Sequence, residues 1–258
     1  MKKLLIASAL LLTASSAAYA QDSTDVRIRV GLGGQLRPKF IGADDTEVAP
    51  LWRIDIARGT NQFRFKAPDD SLAIAVVSKD GFSFGPAANL EPGRKNSDVG
   101  LPLGKVKTTI EAGAFAQYEA GDSIRVRGEV RKGIGGHNGV VGALGVDKIW
   151  RSGDHYVFSI GPRVLFSDSR YQRAFFEVTP AASLATGLPA YRPGGGIHAV
   201  AVESGLSYQF NNRLGLFGFA RYERLVGDAA KSPIVRQLGS RNQLSGGLGL
   251  SYTFNLKM

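Results

Sequence analysis

The chain has 258 residues, of which 21% are charged, with 33 glycines and no cysteine. That composition excludes a bundle of apolar membrane helices, a disulfide framework and a thiolate metal site. The formal net charge is +10, yet the basic residues are spread through strand-like text instead of forming a tail, so nucleic acid is not an expected partner.

The first twenty residues carry the pattern of a secretory signal. Lys2-Lys3 precede an apolar run from Leu4 to Leu12, and Ala18-Tyr19-Ala20 offers a small-x-small cleavage site. The run is too short to span a bilayer. The expectation is cleavage after Ala20, leaving one exported domain over 21–258.

Beyond it the text alternates apolar and polar residues, the pattern of strands with one greasy face. Val26, Ile28, Val30, Leu32 and Leu36 oppose Arg27, Arg29 and Gln35. Trp52, Ile54 and Ile56 oppose Arg53 and Asp55 in the next segment, 48–58. Phe63 and Phe65 predict a short third strand, Pro68-Asp69-Asp70 a break, and 72–78 a fourth strand ending in the Lys79-Asp80-Gly81 turn. Strands follow over 82–90, 108–119 and 124–131, the last setting Ile124, Val126 and Val130 against Arg125, Arg127, Glu129 and Arg131. Segments 140–150 and 156–166 come next, with Arg163 among the polar positions, and then a long connection, 167–195, with a β-rich patch at Ala174–Val178. Strands near 196–210 and 214–225 lead through another long loop to the last, Asn242–Phe254. There Leu244, Leu248, Leu250, Tyr252 and Phe254 share one parity, and small polar residues share the other.

The connections sort by length. Those after residues 58, 78, 119, 150 and 210 are short, and those after 37, 90, 133, 166 and 225 are longer, the one near Pro68 being an exception. Short turns at one end and long loops at the other mark an outer-membrane barrel, as do strands long enough to cross the apolar slab. The expected fold is therefore all-β, a closed antiparallel transmembrane barrel of about 12 strands, with 10 as the alternative. The last strand closes it against Val26–Leu36. Leu250, Tyr252 and Phe254 then form the terminal-strand signal read by the barrel assembly machinery, and Asn255–Met258 extends beyond that signal.

With the apolar parity toward lipid, Arg27, Arg29, Arg53, Arg125, Arg127, Arg131 and Arg163 fall toward the lumen, and Asp55, Glu111, Glu119 and Glu129 are their candidate partners. A charge on the lipid face would cost about 2–4 kcal/mol near the midplane. Such a set either selects anions at a constriction or pairs with carboxylates to plug the lumen. The narrowness of a barrel this small favours the plug. No catalytic motif, cofactor site or metal cluster is legible. His198 and Ser204, six positions apart on one strand, are about 20 Å apart and cannot react. His137, in a glycine-rich loop, has Asp168 or Asp228 as conceivable partners.

Several phrases resemble the MipA/OmpV family of outer-membrane proteins (MltA-interacting protein A and relatives). They are Arg37-Pro38 with Gly42-Ala43-Asp44-Asp45, EAGAFAQY at 111–118, Gly136-His137-Asn138-Gly139, SLATGLPAYR at 183–192 and RLVGDAAKSPIV at 224–235. The likeness covers nearly the whole mature chain. It implies a single-chain barrel in the Gram-negative outer membrane, one member of the family being viewed as an adaptor that joins a lytic transglycosylase to a murein synthase; with no catalytic motif legible, the expected function is a non-enzymatic scaffold of that kind. Other relatives are porin-like or adhesive, which keeps a small anion-preferring channel as the alternative.

Overall fold

The structure is a computed structural model that describes residues 25–256, so the expected signal peptide, with Ala18 and Ala20, lies outside the described residues. Twelve strands form one antiparallel sheet: β1 (Val26–Pro38), β2 (Thr46–Arg58), β3 (Leu72–Ala73), β4 (Val77–Lys79), β5 (Phe82–Glu91), β6 (Thr109–Ala120), β7 (Ile124–Gly135), β8 (Val140–Ser152), β9 (Tyr156–Ser167), β10 (Gly196–Gln209), β11 (Leu214–Leu225) and β12 (Asn242–Leu256). The order runs β2-β1-β12-β11-β10-β9-β8-β7-β6-β5-β3, with β4 also on β5. The expected pairing of first and last strands is present, with Leu32 opposite Leu250 and Val30 opposite Tyr252.

Two expectations are corrected. Phe63–Lys66 forms no strand, and the total reaches twelve because the stretch 72–79 is broken into β3 and β4 on one neighbour, β5. The last strand also runs on past Phe254, with Asn255 opposite Arg27 and Leu256 opposite Val26, so Phe254 does not end the ladder.

The sheet must be curled. The inserted segment 59–71 touches strands far apart along it: β1 through Arg27 and Arg29 over the Phe63 ring, β7 through Arg125 on Asp70, and β9 and β11 through Arg163 and Arg221 on Asp69. Only a sheet wrapped around the segment brings all of these to it. The ladder does not close, however. β2 runs toward the short-turn end, where Arg58 lies opposite Val26, and β3–β4 runs the same way to the Lys79–Phe82 hairpin. The two free edges are thus parallel neighbours, separated by a segment that rises inside the wall. Ten long strands plus one broken one make an odd wall, and an odd antiparallel wall leaves one parallel seam.

The convex face is apolar: Leu32, Val48, Ile56, Leu90, Leu248 and Leu250 are all more than half exposed. Aromatic pairs collect at the short-turn end, with Trp150 against Phe158 at 5.6 Å, Tyr208 against Phe210 at 5.6 Å and Tyr252 against Phe254 at 4.8 Å. This is an apolar band with an aromatic girdle.

The main apolar core sits at the other end, in a cap made from the long connections. They carry α1 (Asn96–Val99), α2 (Ser169–Phe176), α3 (Pro180–Thr186), α4 (Gly227–Lys231) and α5 (Pro233–Gln237). Of the β-rich patch expected at Ala174–Val178, the first three residues end α2, and Val178 alone pairs as a strand would, in an antiparallel bridge with Tyr191. The Asp168 side chain accepts from the Arg170 and Tyr171 amides and starts that helix, and Tyr171, Phe175 and Phe176 then share its buried side. Thr179 caps α3 and Ser232 caps α5, each followed by proline at the first helical position.

Candidate functional site inside the curled sheet

One charge network fills much of the interior. Asp147 on β8 accepts from Arg125 at 2.7 Å and from Arg163 at 2.6 Å, and all three side chains are buried. From there the inserted segment carries the chain of pairs in two directions. Asp69 binds Arg163 at 2.8 Å and Arg221 at 3.0 Å, and Arg221 reaches Glu203 and Glu223. Asp70 binds Arg125 at 2.5 Å and lies 3.5 Å from Arg127. Arg127 pairs with Glu129, Glu129 with Arg131, Arg131 with Glu111, and Glu111 with His137 at 3.0 Å. Charges taken from water this fully are stable only when paired and hydrogen-bonded on both sides.

Backbone chemistry is tied into the same network. Pro162 has no N–H, and the β8–β9 ladder skips its position. Arg163 Nη1 donates instead to the Val146 carbonyl at 3.2 Å and to the Pro162 carbonyl at 3.1 Å. Gly161 is required beside it, because a Cβ there would stand 1.7 Å from the Val146 oxygen.

Four of the seven arginines singled out above, Arg125, Arg127, Arg131 and Arg163, belong to this network. Arg27 lies apart, on Asp154 at 2.9 Å, and Arg53 pairs with Asp55 at 2.5 Å. Arg29 stacks on Phe63 at 4.2 Å and donates to Thr253 Oγ1 at 3.3 Å. Of the candidate partners, Asp55, Glu111 and Glu129 hold arginines, whereas Glu119 accepts from Gln117. Sequence reasoning missed Asp147, Glu203, Arg221 and Glu223, although strand parity marks each of them. It also missed Asp69 and Asp70, which no parity marks because they lie off the ladder.

The histidines form no catalytic group with the residues expected. His137 Nδ1 accepts from the Gly139 amide at 3.0 Å, which places its proton on Nε2, facing Glu111. Asp168 is occupied as the α2 cap. Asp228 accepts from the Gly194 amide at 2.9 Å and from Lys231, contacts that hold its carboxyl below the usual range. Ser167 Oγ lies 3.1 Å from His198 Nδ1, a pair the sequence did not suggest, and both are sealed under the Tyr171 ring. In the cap, Arg94 donates to the Phe175 and Gly104 carbonyls, and burial lowers its guanidinium to about 10. Among the described residues no three His, Cys, Asp or Glu side chains gather as a metal site.

Between the network and the β2 edge lies a cavity of about 680 Å³. Six basic side chains line it against three carboxylates, Asp55, Asp70 and Asp154.

The family described as MltA-interacting protein MipA matches residues 30–254. The chain belongs to the MipA family. That match runs from within β1 to within β12 and includes the inserted segment and all three connections that carry the cap helices. No curated protein matches this MipA-family chain. Among solved structures, a KdgM porin is similar at 10% identity over 89% of this chain and 99% of its own, with a TM-score of 0.38. The NanC porin is similar at 10% identity over 88% and 98%, with a TM-score of 0.39. The outer-membrane expressed OmpT of Vibrio cholerae is similar at 10% over 91% and 99%, also at 0.39.

Proposed function

We propose that this MipA-family chain is an outer-membrane barrel without enzymatic activity that serves as a scaffold for murein-remodelling enzymes. Its convex apolar band, girdle and one-sided long loops support the membrane setting. On this reading the wall is completed not by a further ladder strand but by the inserted segment, which backs the parallel seam from inside.

The observation that carries the scaffold reading is the filled interior. Asp69 and Asp70 hold the inserted segment against Arg125, Arg163 and Arg221, so the surfaces the barrel offers to a protein partner outside the membrane are its two ends. The family's name points to a lytic transglycosylase, and a murein synthase is the second partner of the same reading. Affinity capture of the tagged protein from a detergent extract tests it. A lytic transglycosylase retained with the barrel, and lost when the short turns are replaced, is the expected result. Repeated capture without any murein enzyme would count against the scaffold.

The basic cavity supports a second reading, a small anion-preferring channel. Planar-bilayer recording separates the two: the scaffold reading expects no steady conductance from the intact protein, and an anion-selective current would reverse the order.

A further inference from the structure

The seam between β2 and β3 has chemistry that neither reading uses. In hydrocarbon an unpaired backbone group costs several kcal/mol, so an open strand edge is tolerated only against protein or a watered cavity. The β2 edge is treated in just this way. Pro50 lies on it, as prolines in sheets do on edges. The Pro50 carbonyl accepts from Gln35 Nε2 at 2.9 Å, and the Ile54 carbonyl accepts from Lys66 Nζ at 3.3 Å. Side chains, not a strand, satisfy this edge.

The cavity described above reaches this seam. Its lining includes interior residues such as Arg29 and Phe63, and also Trp52, Ile54, Leu72 and Leu90, whose side chains stand on the outer apolar face. The cavity therefore borders both strands that flank the seam, at Trp52 and Ile54 on β2 and Leu72 on β3.

Charge is divided along this space. Arg37, Arg53 and Arg151 have carboxylates within 4 Å, on Glu47, Asp55 and Asp154. Among the described residues Arg29, Arg64 and Lys66 have none. Arg64 donates to Ser78 Oγ at 3.3 Å across the seam, and Lys66 to the Ile54 carbonyl. Three cations without carboxylates thus border a cavity that reaches Trp52, Ile54 and Leu72.

We propose that this seam is a lateral binding portal for a long-chain carboxylate, a single-tailed fatty acid. The head lies inside, on Arg64 and Lys66 with Arg29 behind them, and the tail leaves between β2 and β3 into the bilayer. Charge-assisted hydrogen bonds select the anion, and the apolar walls select one alkyl chain. A volume of about 680 Å³ suits a ligand of this size, since such pockets span roughly 300–1,000 Å³. A two-tailed lipid has no room for its second chain in a seam one strand wide. The proposal rests on the membrane-barrel reading but not on the scaffold role.

The chain holds two tryptophans, Trp52 at the seam and Trp150 in the girdle, which makes the test direct. Trp150→Phe leaves Trp52 as the sole tryptophan, excited selectively at the red edge of the absorption band so that the tyrosines stay silent. The protein in neutral detergent is titrated with 9,10-dibromostearate and, separately, with its methyl ester, which enters micelles equally but carries no charge. The expected result is saturable quenching by the acid at concentrations about tenfold below the ester, one to two charged hydrogen bonds being worth that much. Arg64→Gln with Lys66→Gln should bring the acid to the level of the ester. Equal quenching by acid and ester, or an unchanged response in the double variant, would overturn the portal. The gel shift between heated and unheated protein is read on every sample. Its absence from the parent would count against the barrel itself, whereas its presence with non-saturable quenching counts against the portal alone.

Discussion

Asp147 is a fully buried strand carboxylate on which two buried arginines, Arg125 and Arg163, converge at 2.7 and 2.6 Å, and that makes it a consequential residue of the interior. Truncation to alanine leaves Arg125 and Arg163 each with one remaining partner, Asp70 and Asp69, in a site closed to water. Breaking a buried charged pair by removing one member costs about 3–5 kcal/mol, and the surviving partners hold this case near the lower end. Urea refolding of Asp147→Ala into vesicles, followed by the heated-versus-unheated gel shift, should show that loss. Asp147→Asn should fall between it and the parent. A midpoint unchanged in the alanine variant would mean the network is decoration. At this scale the sequence was half legible. Strand parity picks out Arg125 and Arg163 and applies equally to Asp147, which stands between Val146 and Lys148. It says nothing of Asp69 and Asp70, which read as punctuation after Pro68 because turn chemistry and ion-pair chemistry use the same residue.

The inserted segment shows why periodicity alone misplaced one strand of the wall. Phe63, Arg64, Phe65 and Lys66 alternate like a strand, and nothing local distinguishes a strand in the ladder from an extended segment inside it. What decides is distant: Arg27 and Arg29 stack on Phe63, Asp154 accepts from the Phe63 amide at 2.9 Å, and Asp69 and Asp70 fix the far end. The helices of the cap were missed for a related reason. The aromatic pair Phe175-Phe176 favours strand, but the Asp168 cap and the buried stripe of Tyr171, Phe175 and Phe176 override that preference, whereas Val178 beyond the helix does bridge to Tyr191. The insert carries its own prediction. Trypsin sites at Arg64 and Lys66 are guarded only while the segment is held. Asp69→Ala with Asp70→Ala removes the hold, yet Arg125 and Arg163 keep Asp147, and Arg221 keeps two glutamates. Cleavage between Arg64 and Ala67 should then accelerate about tenfold or more, as local opening becomes easier by some 1.4 kcal/mol. Mass mapping of the fragments reads this directly, and equal rates in parent and variant would show that the segment is held by something else.

At the scale of the whole molecule the sheet is inside out relative to a soluble protein, with ion pairs within and leucines without. That inversion separates the membrane reading from a soluble sandwich by a single substitution. Leu250 lies mid-strand on β12, between Leu32 of β1 and Leu216 of β11, and is 62% exposed. In a soluble protein, arginine at so exposed a position would change stability by no more than about 0.5 kcal/mol in either direction. Facing hydrocarbon near the midplane, the same arginine costs about 2–4 kcal/mol. Leu250→Ala separates the loss of side-chain contact from the cost of the charge, so the informative quantity is the difference between the two variants. In refolding titrations with lipid vesicles, the arginine variant should be weaker than the alanine variant by that 2–4 kcal/mol. The same arginine at Leu256, near the short-turn end and its aromatic girdle, should cost about 0–1 kcal/mol, because the penalty falls toward the interface. A position-dependent cost has no counterpart in water, where the two exposed leucines are equivalent. Equal and small effects at Leu250 and Leu256 would therefore remove the bilayer from the account of this fold.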